Sequence, residues 1–404
     1  MIRVGFMFAS ADTSWLGGMS YYRNLFSAIR EMPERKIDPV LITSRGGVNT
    51  FRSQFPGIEV IHLPLLDAPR IVGKSRRAVQ LLTGRDFPLE YVLRAHDIDL
   101  LSHSGYFGKR SAIPSIAWIP DFQELSFPEF FSPAELASRG RNVVNACRHA
   151  STLLLSSEAA LADLHRTGTK AGMTAVLPFV AAVPPQADLL SRDEVESSYR
   201  LGGKFFHMPN QFWIHKNHLA VIEALAVLHR QGTSFNVIAT GNTNDPRQPG
   251  HFASLVEAAR KNGVEHLFRT PGVVPYRDLM SLMRHAVAVI NPSKFEGWST
   301  TVEEAKSMGK AILLSDIPVH REQAPERATF FPPGDARKLA DAMAEAWENW
   351  NPDTDSRFVE AAASSLPARR RDFARRYEDI VLATLAAHTG GRTRRSAAGH
   401  GRRN

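Results

Sequence analysis

The chain has 404 residues, of which 43% are hydrophobic and 22% charged, an ordinary globular composition and a length that suits about two to three domains. No apolar run approaches the ~20 residues of a membrane span, Met1–Ala9 reads as a strand and not as a signal peptide, and the lone Cys147 leaves no internal disulfide and makes the cytoplasm the default compartment. Of the net charge of +8, +7 lies between Leu366 and Asn404, where ten Arg face three acids, so the main body is excluded as a basic nucleic-acid binder.

Residues 1–180 alternate strand-like and helix-like pieces. Val4–Ala9 is the expected first strand, followed by a loop with Gly17 and Gly18 and an amphipathic helix over Ser20–Met32. Further strands are expected at Val40–Thr43, Glu59–Leu63, Asp99–His103, Ser115–Ile119, Thr152–Ser156 and Thr174–Leu177. That rhythm predicts an α/β fold with a doubly wound, mostly parallel sheet. Pro178–Gln186 is the expected linker. A second such unit fills 181–365, with strands at Phe205–Met208, Asn236–Thr240, His266–Arg269, Ala286–Ile290, Ala311–Leu314 and Thr329–Phe331. Its helices are expected at His218–Arg230, Phe252–Asn262, Arg277–Met283 and Ala336–Asn349. A last helix, Phe373–Ala387, falls within 366–389, and 390–404 is by composition a basic disordered tail.

The stretch Asn291–Gly309 carries the densest chemistry. The buried-strand run Ala286–Ile290 leads to Glu296, Gly297 and Trp298, and a helix is expected to begin near Thr300. Thr300 with Glu303, and Thr301 with Glu304, both fit a capping box, and Gly309 stands where a helix-ending glycine belongs. A helix start after a strand favours an anion such as phosphate. Glu296 and Glu304 would repel phosphate and are better matched to hydroxyls. Phosphate flanked by hydroxyls describes a nucleotide sugar.

Two glutamates with seven residues between them, opened by Glu-Gly and framed by strand, helix and the following Gly309–Leu314 segment, resemble the donor-site motif of retaining family-4 glycosyltransferases of the GT-B fold. The resemblance covers nearly the whole second half. It implies two Rossmann-like domains facing across a cleft, with 1–180 on the acceptor side, 181–365 binding the donor, and a C-terminal helix crossing back to the first domain. Lys216 matches the lysine that neutralises the leaving diphosphate; the arginine that usually precedes it is replaced by Asn210 and Gln211. Glu304 would hold the ribose, and Glu296 with Gly297 and Trp298 the hexose. Ser299, Thr300 and Thr301 would present amides to phosphate. Gly17 and Gly18 would underlie the diphosphate, and the Gly272–Tyr276 turn, around Val274, would read the base through its backbone. Asp121 stands near the place of a family histidine that contacts the transferred sugar; capping a turn after Pro120 is its plainer role. His103 and Ser104 are expected to touch acceptor.

The resemblance implies a metal-independent retaining hexosyltransferase, with no cofactor, using a GDP- or UDP-linked donor and a glycan or lipid-linked acceptor in bacterial surface polysaccharide synthesis. A nucleotide-sugar epimerase and a non-catalytic nucleotide-sugar-binding protein are the alternatives. His215 and His218 alone make a poor metal site, and Asp97 with Asp99 and Asp353 with Asp355 are taken as incidental Asp-x-Asp pairs. Arg70, Lys74, Arg76 and Arg77 ahead of Ala78–Leu82 form a basic amphipathic patch that reads as a solvated face or as contact with membrane or a lipid-diphosphate acceptor, and the basic tail reads as a solvated end or as weak attraction to anionic lipid.

Overall fold

The computed structural model describes residues 1–8, 16–104, 110–245 and 247–400. Two compact units divide the chain: Met1–Phe179 with Arg369–Asn404, and Val180–Ala368.

The first unit holds β1 (Ile2–Phe8), β2 (Ile37–Thr43), β3 (Glu59–His62), β4 (Leu100–Ser102), β5 (Ser115–Ile119), β6 (Thr152–Leu155) and β7 (Met173–Val176). They form one sheet ordered β3-β2-β1-β4-β5-β6-β7 in which every pairing is parallel. The second holds β8 (Phe205–Pro209), β9 (Asn236–Thr240), β10 (Phe268–Gly272), β11 (Val289–Asn291), β12 (Ile312–Ser315) and β13 (Ala328–Phe331). Its order is β10-β9-β8-β11-β12-β13, again all parallel. Helices cover both faces of a parallel sheet, which is why its strands read as unbroken apolar runs; Ala286, Ala288, Val289 and Ile290 have no exposed surface at all. In each unit the winding reverses once, between β1 and β4 and between β8 and β11, and such reversals open a crevice at the carboxyl ends of the strands.

Several boundaries differ from expectation. The first helix runs Leu16–Glu31 and takes Gly17 and Gly18 into its first turn; the loop before it, and Ala9 at the end of the expected strand, lie outside the described residues. The last helix runs Pro352–His400, so most of the tail marked as disordered by composition is helical backbone, and residues 401–404 lie outside the described residues. From residue 369 onward this helix packs in the first unit. Phe373, Ala374, Tyr377 and Val381 are buried there. Arg370 forks onto Glu31, with Nη2 2.6 Å from Oε1, Glu378 accepts from the Lys36 amide at 2.6 Å, and Thr384 meets Thr152 at 2.7 Å. These polar anchors fix the helix register as apolar contacts alone would not.

Asp353 and Asp355 open this helix and do not sit in a loop. Asp355 is the buried hub of a cationic cluster: Lys310 Nζ lies 2.6 Å, Arg327 Nη1 2.7 Å and Arg284 Nη1 3.4 Å from its oxygens. Burial lowers the Lys310 ammonium to about 8, and the Asp355 carboxylate holds it from falling further. Its role is structural. Asp99 likewise serves the backbone, accepting from the Arg3 amide at 2.8 Å.

Candidate active site

The β8/β11 reversal brings two loops together. After β8 the chain turns through Asn210–Asn217 and enters the helix His218–Arg230. Close approach shapes the turn: at Gly241, which has φ +152°, a Cβ would come within 2.3 Å of the Asn210 carbonyl oxygen. Asn217 takes the left-handed conformation at φ 59°, which asparagine tolerates, and its Nδ2 donates to the carbonyls of Pro292 (3.1 Å) and Pro333 (2.9 Å). The Lys294 amide donates to the His215 carbonyl at 2.8 Å. The loops after β8 and β11 are thus stapled together, and Lys216 Nζ meets both Oε atoms of Glu296 at 2.7 Å.

The helix after β11 spans Thr300–Ser307, with Ser299 at its N-cap. Neither expected capping box forms. Glu303 instead accepts from Gln323 Nε2 at 3.1 Å, with Lys306 Nζ 3.6 Å away. Gln323 also grips the Ser299 backbone, accepting from its amide at 3.2 Å and donating to its carbonyl at 3.0 Å. Ser299 gives the helix no side-chain cap, because its Oγ accepts from Asn291 Nδ2 at 2.9 Å. The first-turn amides therefore keep the donors that an anion can use. Thr301 Oγ1 donates to the Pro209 carbonyl at 3.1 Å, and Asn210 Nδ2 to Asn291 Oδ1 at 3.1 Å, so the helix start is tied to the end of β8. Gly309, at φ +68°, ends the helix as expected, against the Phe358 backbone, where a Cβ would come within 2.3 Å of the carbonyl oxygen.

The two glutamates carry opposite electrostatics. Burial pushes the Glu296 carboxyl up, but opposing charge, chiefly the Lys216 ammonium, pulls it down, and the result lies below the ordinary glutamate value. Burial raises Glu304 to about 7, with only the Tyr276 hydroxyl, donating to Oε1 at 3.2 Å, acting against it. Tyr276 opens the helix Tyr276–His285 directly after the Gly272–Pro275 turn, so the turn that carries Val274 reaches Glu304 through this side chain. Gln211, Lys216, Glu296, Gly297, Trp298, Thr300 and Thr301 are partly exposed and form the rim, while Asn210, Ser299 and Glu304 are buried. A patch of one cation, uncapped amides and a near-neutral buried carboxyl can take a phosphate and donate to or accept from hydroxyls at its edge.

His215 and His218 are held neutral, each lowered to about 3 mainly by burial, and His218 stacks on Phe212 at 4.2 Å between ring centroids. Among the described residues no group of three or more His, Cys, Asp or Glu side chains is placed to hold a metal ion.

In the first unit, His103 and Ser104 end β4 in internal bonds. His103 shares hydrogen bonds with Tyr21 Oη through Nε2 (2.8 Å) and with Ser102 Oγ through Nδ1 (2.7 Å); Ser104 Oγ accepts from the Met7 amide at 2.8 Å and donates to the Ser102 carbonyl at 2.7 Å. Asp121 accepts from the Gln123 amide at 3.1 Å, the turn geometry weighed beside its catalytic reading. Sequence reasoning missed Tyr276, Asn291, Gln323 and His320. Only Tyr276, placed just after the expected base-reading turn, gave a signal.

Residues 192–365 match the family model described as glycosyl transferases group 1. The chain is a glycosyltransferase. Its fold is that of the GT-B enzymes. HepE of Anabaena, solved with UDP and glucose, is 16% identical at a TM-score of 0.66, the match covering 96% of this chain and 100% of that one. A glycosyltransferase of Rickettsia africae is 13% identical at TM-score 0.66, covering 95% and 98%. WaaG, a glycosyltransferase involved in lipopolysaccharide biosynthesis, is 15% identical at TM-score 0.55, covering 92% and 99%. No curated protein is significantly similar in sequence to this glycosyltransferase.

Proposed function

We propose that this glycosyltransferase moves a hexose from a nucleotide sugar, with retention at the anomeric carbon and without a metal ion, to a glycan or lipid-linked acceptor of bacterial surface polysaccharide. The observation that carries the reading is the pairing of Lys216 with Glu296 beside an uncapped helix start and the near-neutral Glu304. Departure of the nucleoside diphosphate is the demanding step. Lys216 Nζ and the amides near Thr300 and Thr301 stabilise the charge that develops on it. Glu304 accepts from the ribose hydroxyls, and Glu296 with the Gly297 and Trp298 amides orients the hexose. The leaving phosphate oxygen takes the acceptor proton on the face it vacates, so the sugar–phosphate bond breaks and the new glycosidic bond forms on one side, with no protein nucleophile.

HepE in complex with UDP and UDP-glucose favours uridine over guanosine as the base. WaaG, involved in lipopolysaccharide biosynthesis, and the lipopolysaccharide outer core galactosyltransferase WaaB favour a surface-polysaccharide acceptor. A lipid-linked acceptor of that kind would be met by a protein bound peripherally at the inner face of the cytoplasmic membrane. No described helix is long and apolar enough to cross a membrane.

A panel of nucleoside diphosphates tests the donor site: one diphosphate at about 100 times its Kd should stabilise the protein by about 2.7 kcal/mol. Proton NMR of the product from an α-linked donor should show an α linkage. A β product would overturn retention, and failure of every diphosphate to stabilise folded protein would overturn the donor site.

A further inference from the structure

Among the described residues twelve large apolar side chains are exposed, and six of them fall between residues 71 and 91: Ile71, Val72, Val79, Leu82, Phe87 and Tyr91. Ile71, Leu82 and Tyr91 are 74%, 87% and 76% exposed. The helix Arg70–Thr83 is inverted relative to an ordinary surface helix. At about 100° per residue, Ile71, Ser75, Ala78, Val79 and Leu82 share one stripe. All five are exposed, whereas among the described side chains of this helix the half-buried ones are the polar Arg76, Gln80 and Thr83.

Ion pairs hold this segment in place. Arg76 Nη2 lies 2.7 Å from Asp86 Oδ2, and Asp86 also caps the helix Phe87–Ala95 through the Leu89 amide at 3.2 Å. Arg85 pairs with the buried Glu90, and its guanidinium lies 4.7 Å from the Phe87 ring centroid. Those pairs occupy both acids of residues 70–95, against six basic residues (Arg70, Lys74, Arg76, Arg77, Arg85, Arg94), a net of +4.

We propose that this face is a membrane-docking surface whose occupant is an anionic phospholipid surface. Ile71, Val79 and Leu82 enter the boundary of the acyl chains, Phe87 and Tyr91 lie at headgroup depth, and the exposed Lys74 and Arg94 meet the lipid phosphates. Charge chooses the occupant: a second copy would set +4 against +4, while an anionic bilayer complements both the charge and the apolar stripe. The inference rests on the peripheral membrane reading above and is independent of the donor chemistry.

The test is co-sedimentation of the full chain with phosphatidylcholine vesicles, with and without phosphatidylglycerol. Wild type should bind the anionic vesicles at least about tenfold more tightly than the neutral ones, and more weakly as salt rises. Ile71→Ser with Leu82→Ser should weaken anionic binding at least about tenfold and leave the diphosphate thermal shift unchanged; Lys74→Glu should weaken it without removing apolar surface. Val256→Ser, an exposed position in the second unit, should change nothing. If wild type sediments and the Ile71/Leu82 variant binds equally well, this surface is wrong while peripheral binding survives. If wild type binds neither vesicle, both readings fall. Wild type that dimerises through this face, with a monomeric variant and no vesicle binding, would assign the face to self-association and overturn the proposal.

Discussion

The two units share one topology and differ at the place where it matters. At the β1/β4 reversal of the first unit, the described strand-end side chains of Ser102, His103 and Ser104 bond within the unit. His103, at φ 59°, has both ring nitrogens in hydrogen bonds, and it packs among Phe6, Tyr21, Tyr22, Trp118 and Tyr377, with Tyr21 and Trp118 stacked at 4.4 Å. Burial lowers His103 to about 3, so the ring is neutral. At the β8/β11 reversal of the second unit, the groups are left poised: Lys216 faces a single carboxylate, and Glu304 is buried with no cation beside it. A doubly wound sheet therefore supplies the crevice, and the side chains decide what it can bind.

The largest effect that sharpens this contrast is expected at Lys216. Lys216→Ala should lower kcat/KM by about a hundred- to ten-thousandfold, the scale of removing a charge-stabilising group from a leaving phosphate. It should also lower stability by about 1–3 kcal/mol, because Glu296 remains mostly buried without its counter-ion. Adding Glu296→Ala should restore much of the stability in urea unfolding and none of the turnover. If Lys216→Ala keeps wild-type kcat, the charge on the leaving group comes from elsewhere.

Glu304 should behave in the opposite sense. Its folded-state value of about 7 lies above the ordinary 4.5, so the folded protein holds this proton where the unfolded chain releases it. The resulting stability is fully present below pH 4.5 and is lost as pH rises through about 7, a swing of up to about 3 kcal/mol. Glu304→Gln should therefore match wild type near pH 4 and exceed it by about 1–3 kcal/mol at pH 8, while its UDP affinity falls about tenfold or more. Thermal melts across pH check the first part and titration calorimetry the second. Glu296, whose carboxyl is lowered, has the reverse linkage: its contribution is present above the ordinary glutamate value and is lost as pH falls through the lower folded one.

What the sequence disclosed, and what it hid, follows the range of the interactions. Buried parallel strands announce themselves locally, and the helices His218–Arg230 and Ala336–Asn349 have the limits their periodicity predicts. Lys216 and Glu296 stood out by motif, but their pairing spans 80 residues and left no local trace. The capping boxes at Thr300 and Thr301 failed for the same reason. Gln323, 24 residues downstream of Ser299, takes its backbone and Glu303 together. Asp355 read only as one of an incidental pair because the Lys310, Arg327 and Arg284 that surround it are 45, 28 and 71 residues away. The helix Arg70–Thr83 showed an amphipathic pattern, and periodicity cannot say which face of such a helix turns inward.

The smallest expected effect lies at the β1/β4 reversal. His103→Asn keeps a residue that tolerates φ 59° and removes the bond from Nε2 to Tyr21 Oη. The cost should be about 1–2 kcal/mol in urea unfolding, with UDP affinity unchanged within about twofold, since no donor group proposed for the second unit is altered. A loss of donor affinity as large as that of Glu304→Gln would break the contrast between the two reversals. A raised KM for acceptor at constant donor affinity would preserve it and give His103 the acceptor contact that its position after β4 suggested, reached by releasing the Tyr21 bond on acceptor binding. The split between the two Michaelis constants therefore decides whether the first crevice is sealed for stability or latched until the second substrate arrives.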